Sequence, residues 1–179
     1  MVPEARIAGS EHGLVPEGEG WYVLNAREAR WRQREGFGRI CFLEAEPIPE
    51  IFTQLGFQLA VLQAGEPNGM YHRETIPEDF LVVAGECLLV IEGQERRLQQ
   101  WDFVHCPPET NHIFIGASDG PCVLVMVSPR LEGSEIVYAV SEAAAQHSAS
   151  VETETPDPAE AYARFNRRVE PYREGDLPG

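Results

Sequence analysis

The chain has no run approaching the roughly 20 consecutive apolar residues that a membrane helix needs, so no helical span is expected. It is also short of positive charge, with 14 basic against 29 acidic side chains and a formal net charge of −15. A surface of that sign repels phosphate backbones and anionic lipid, so neither nucleic acid nor a membrane is an expected partner. Cysteine is sparse, and Cys41, Cys87, Cys106 and Cys122 contain no C-x-x-C pair. The start, MVPEARIAGSEHG, has no apolar stretch behind a basic one and is not read as a secretion signal. A cytoplasmic location with reduced thiols follows as the expectation, Cys87 and Cys122 serving as small buried hydrophobes. Internal repeats and a helix-turn-helix pattern are missing too. No helical pattern of about 10–15 residues interrupts the middle of the chain, which argues against alternating β and α units.

What remains is a chain of 179 residues, 43% hydrophobic and 24% charged, ordinary for one globular domain. Gly 16 and Pro 14 make it turn-rich, which suits many short strands. Residues 1–20 lack an apolar period and are expected to be a loose N-terminal arm. A strand is expected over 21–24, then a short helix over 26–31 capped by Asn25, then a strand over 39–43. Further short β-branched and aromatic runs occupy 57–63, 79–84, 86–91, 95–98, 102–105, 112–115 and 121–127, separated by Gly, Pro and Asn. That spacing predicts an all-β, antiparallel sandwich or barrel over 21–130. The remainder, 131–179, reads as an extension with helices over 141–147 and 158–165, the second opening on Asp157 as N-cap and Pro158 at the first helical position.

Chemistry concentrates between Gly65 and Gly116. His72 and Glu74 are separated by one residue, so in an extended chain both point to one face. Glu78 follows, and the stretch Pro107-Pro108-Glu109-Thr110-Asn111-His112 brings a second histidine to the start of the next strand. Glu74 has a bland alternative, an ion pair with Arg73 or another surface residue. His105 can face into or out of a barrel. Met70, Tyr71 and Phe80 either line a pocket mouth or belong to the core.

The block resembles the cupin superfamily over residues 56–128. Gly65, His72, Glu78 and Gly85 match its first motif, with Glu74 standing where a second histidine is usual and one extra residue between Gly65 and His72. In its second motif Pro107 and His112 match, while Trp101, Glu109 and Gly116 replace a glycine, a glycine and an asparagine. A second register, with Met70 in place of the first histidine, stretches the spacing to Glu78 and is disfavoured. The resemblance implies an antiparallel double-stranded β-helix, the jelly-roll or cupin barrel, with short N-terminal strands and a C-terminal helical appendage.

It also implies one divalent metal ion, with His72, Glu74, Glu78 and His112 as candidate ligands. Imidazole and carboxylate donors suit Zn, Mn or Fe. His105, Tyr71, Met70 and Phe80 are candidates for contacts behind the ligands or with a substrate. The expected function is that of a metal-dependent enzyme on a small organic molecule, dioxygenase- or isomerase-like, with a non-catalytic sensor or binding module as the alternative. A homodimer is expected from the same resemblance.

Overall fold

The computed structural model describes residues 1–46, 53–117 and 119–179. Among them the N-terminal strands are β1 (Arg6–Ser10), β2 (Gly13–Glu17), β3 (Trp31–Arg34) and β4 (Arg39–Cys41). The central strands are β5 (Leu55–Leu62), β6 (His72–Glu74), β7 (Glu78–Ala84), β8 (Glu86–Ile91) and β9 (Gln94–Gln99), followed by β10 (Phe103–Cys106), β11 (His112–Gly116) and β12 (Cys122–Pro129). The C-terminal part holds β13 (Ile136–Tyr138), α1 (Glu142–Ala145), α2 (Pro158–Ala161) and β14 (Arg167–Glu170).

Beyond the small β1–β2 pair, two antiparallel sheets carry the fold. One runs β10-β7-β12-β5-β4-β3-β14, the other β13-β6-β11-β8-β9. Alternating side chains from both meet in one core that includes Ile40, Leu62, Phe80, Val82, Leu89, Phe114 and Leu124. Complete burial of each large member is worth about 1.5–3 kcal/mol. The chain changes sheets between β7 and β8 at Gly85, where φ is +71°. A Cβ there would stand 2.4 Å from the Pro121 carbonyl oxygen, so both backbone angle and space require glycine. Gly116 is held by close approach alone, its missing Cβ directed at the Gln63 carbonyl oxygen. All four cysteines are unpaired and buried.

The expected double-stranded β architecture is what the molecule has, with local corrections. Residues 1–20 are not a loose arm: they form the β1–β2 hairpin, tied by an Arg6–Glu17 ion pair. The expected strand at 21–24 reduces to a single bridge between Trp21 and Glu4. No helix forms over 26–31. Asn25 caps only a turn, accepting from the Arg27 amide at 2.9 Å, and the chain then enters β3 because Trp31 is fully buried between strand partners. Tertiary burial overrides the local capping signal.

The C-terminal segment departs most from expectation. Its two helices are single turns, capped as expected by Ser141 and Asp157. Two strands were not anticipated there. β13 adds to β6 and β14 to β3, so this segment completes both sheets. Arg39 locks it in place: its buried guanidinium pairs with Asp176, donates to the Pro171 carbonyl at 2.6 Å and lies over the Trp31 ring.

Candidate metal centre

β6 is only three residues long, but its register decides the site. His72 stands directly opposite His112 of β11, and the two rings are 4.9 Å apart between centroids. Cross-strand neighbours are brought together by the ladder itself. Glu78, the first residue of β7, reaches them from the other sheet. Its Oε2 lies 3.3 Å from His112 Nε2 and 3.8 Å from His72 Nε2. One ligand atom from each of the three falls within 4.8 Å of the others, a group able to hold a metal ion.

The donor set fits such an ion. His72 Nδ1 lies 2.7 Å from the Met70 carbonyl oxygen and His112 Nδ1 3.0 Å from that of Thr110. Both contacts assign the proton to Nδ1 and leave the Nε2 lone pair for the cavity. His112 Nε2 is buried and has no hydrogen-bond partner. Although Glu78 is close, its placement does not have hydrogen-bond geometry, so the nitrogen is desolvated without compensation. Burial, helped by the neighbouring His112, pushes the His72 pKa down to about 3, and burial lowers that of His112 as well. Burial and the Glu74 charge push Glu78 up to about 8. Two neutral imidazoles and a carboxyl reluctant to ionise lack a cation to offset their desolvation.

Glu74 turns inward, not toward Arg73, which pairs instead with Glu109 and Glu154. It lines the same cavity of about 320 Å³, with Oε1 3.9 Å from His72 Nε2, but stands outside the converging group of three. Burial raises its pKa. Phe80 lines the cavity edge-on to His112, at 5.1 Å between centroids.

The other three candidates place no side chain in this cavity. Met70 is core, its side chain grouped with Phe37, Tyr138 and Val151, while its carbonyl oxygen stands behind His72 Nδ1. Tyr71 is buried on the outer side of the smaller sheet against Ile113, Ala139 and Ala149. His105 points outward, its side chain 54% exposed and 2.6 Å from Asp79 on the adjoining strand. Strand alternation explains this, because Val104 and Cys106 take the inward positions of β10. Sequence reasoning missed Tyr138, Tyr162 and Arg32, which complete the cavity wall. The alternation in Ile136-Val137-Tyr138 was the one available signal for a strand there.

Residues 58–128 match a protein-family model described as "Cupin domain". Residues 58–128 form a cupin domain. No curated protein matches the sequence. Among solved structures, an RmlC-like cupin from Shewanella frigidimarina is 15% identical, covers 64% of this chain and 95% of its own, and has a TM-score of 0.51. The polyketide cyclase RemF from Streptomyces resistomycificus is 12% identical, with coverages of 62% and 80% and a TM-score of 0.53. A sugar phosphate isomerase of the cupin superfamily from Silicibacter pomeroyi is 16% identical, covers 86% of both chains and has a TM-score of 0.50. At these identities the likeness is one of fold. This cupin keeps the two motif histidines and Glu78 together and sets Glu74 beside them.

Proposed function

We propose that this cupin binds one divalent ion, Zn, Mn or Fe, through His72 Nε2, His112 Nε2 and the Glu78 carboxylate. We further propose that it acts as an isomerase-type enzyme on a small organic substrate admitted to the barrel. The observation that carries the metal is the buried, unpartnered Nε2 of His112 facing Glu78. Three protein donors leave positions open for substrate oxygens, and a bound ion supplies Lewis acidity toward them. Glu74 is the residue that moves the proton. It lines the cavity without joining the group of three, and its raised pKa brings it nearer the range in which a carboxyl both takes and returns a proton. Phe80, Ile136 and Met126 supply apolar wall against water.

The test is deuterium wash-in from heavy water across a panel of hydroxy-ketones, alongside metal analysis of the same preparation. Glu74→Gln is expected to slow exchange about 10²- to 10⁴-fold while leaving metal content unchanged. Loss of metal in that variant would move Glu74 into the ligand set. Oxygen uptake with catechols or diketones, in place of wash-in, would replace proton transfer with oxygenation. Silence in both assays with stoichiometric metal would leave a binding module.

The same proposal extends to a homodimer. β10 is an edge strand, and Phe103 on it and Trp101 just before it are 64% and 68% exposed. Unpaired edges bearing aromatic side chains are natural pairing surfaces. Sedimentation velocity should return twice the monomer mass; a monomer at every loading concentration ends this part of the proposal.

A further inference from the structure

Every basic side chain of this acidic protein is an arginine; the sequence contains no lysine. Most of these arginines meet a carboxylate, and Arg27 and Arg96 donate to uncharged oxygens. Among the described residues Arg32, Arg34 and Arg167 have neither kind of partner. These three are neighbours. Arg32 and Arg34 alternate with the buried Trp31 and Gln33 along β3, so they share the opposite face. Arg167 of β14 stands directly across from Arg34.

Like charges opposite one another on a ladder are destabilising, and a third diagonal to them adds to the repulsion. The crowding registers at Arg32, whose pKa falls to about 10 through burial and then through the Arg167 and Arg34 charges. In a chain with 29 acidic residues, three cations on one face without a carboxylate partner offer a place for an anion from outside. The guanidiniums line a cavity of about 310 Å³. Arg34 lies over the Tyr162 ring, 3.6 Å from its centroid, and Arg32 over Phe42. These stacks fix their planes and leave the N–H edges free. This cavity shares Arg32, Asn68, Gly69, Tyr138 and Tyr162 as walls with the cavity that contains His72, Glu78 and His112.

We propose that Arg32, Arg34 and Arg167 form an anion subsite, and that the substrate is a small phosphorylated molecule whose phosphate lies among them while its other end reaches His72, Glu78 and His112. The second half rests on the function proposed above; the first half stands alone. Three guanidinium forks match a dianionic phosphate better than a single carboxylate, both in charge and in the number of oxygens to be held. Substrate specificity in this cupin then lies in strands outside the 58–128 motif region, which explains why the two motifs are silent about it.

The experiment is calorimetric titration of inorganic phosphate into the full chain after chelation, with acetate and potassium chloride as parallel arms at equal ionic strength. Phosphate is expected to bind, and Arg34→Gln and Arg167→Gln each to weaken it at least about tenfold, the loss of one charge-assisted contact. His72→Ala should leave phosphate affinity unchanged, so loss of the metal proposal and loss of this one are read separately. Without phosphate, Arg167→Gln should melt no lower than the parent, because it removes a repulsion. Chloride reproducing the phosphate effect, or the double variant binding phosphate as the parent does, overturns the subsite. Acetate binding as tightly as phosphate overturns the phosphorylated substrate.

Discussion

His112→Ala should strip the protein of copurifying metal and lower its affinity for added Zn or Mn by more than about 100-fold, the upper end of what losing a supporting contact alone does. The side chain is 1% exposed and sits among Phe80, Phe114 and His72, so its removal also opens a cavity. That cavity costs on the order of 2–4 kcal/mol by itself. Melting temperature alone would therefore confuse the two effects. The separating measurement is the difference in melting temperature with and without a chelator. Metal at about 100 times its dissociation constant stabilises the parent by about 2.7 kcal/mol, and chelation removes this. In His112→Ala and in Glu78→Gln the chelator should change nothing, because no ion is held. Glu74→Gln should keep the parent's response, since Glu74 stands outside the converging three. If chelation destabilises His112→Ala as much as the parent, the ion lies elsewhere; if it destabilises neither, no ion binds.

The sequence made the central strands legible because apolar alternation and Gly or Pro punctuation agree there, from the strand at Leu55–Leu62 to the one at Cys122–Pro129. The resemblance to the cupin motifs brought out His72, Glu78 and His112, while the two-residue period alone tied His72 only to Glu74. What it could not show was pairing itself. Glu74 shares a face with His72, yet convergence depends on the His72–His112 register and on Glu78 arriving from the opposite sheet, and these are long-range facts. His105 turns outward because its neighbours occupy the inward positions, which a four-residue strand does not announce. β3 was hidden by Asn25, a good helix cap whose local preference loses to the burial of Trp31. β14 reads as a polar run, Arg167-Arg168-Val169-Glu170, and becomes a strand only because β3 offers it an edge. The arginine cluster depends on both errors at once, so no reading of spacing would have found it.

Metal binding should release close to one proton per ion at pH 6–7, and that release should fade above about pH 8.5. The reason lies in which groups are charged before the ion arrives. Glu78, raised from 4.5 to about 8, is protonated in the metal-free protein at neutral pH and must give up its proton to ligate. His72, lowered from 6.5 to about 3, is already neutral and gives up none. Apparent affinity should therefore climb nearly tenfold per pH step up to about 8 and then level off, unlike a site whose histidines titrate near 6.5. Stability follows the same groups with opposite signs. For the metal-free protein, the contribution from Glu78 is present below about pH 4.5 and lost as pH rises through 8, on the order of 5 kcal/mol in full. The contribution from His72 is present above 6.5 and lost as pH falls toward 3. The melting-temperature gap between loaded and metal-free protein should thus widen as pH rises from 6 to 8. Calorimetry in two buffers of different ionisation enthalpy measures the proton directly, and a release centred near 6.5, or near 4.5, would show that burial does not hold Glu78 protonated and His72 neutral in the way the geometry requires.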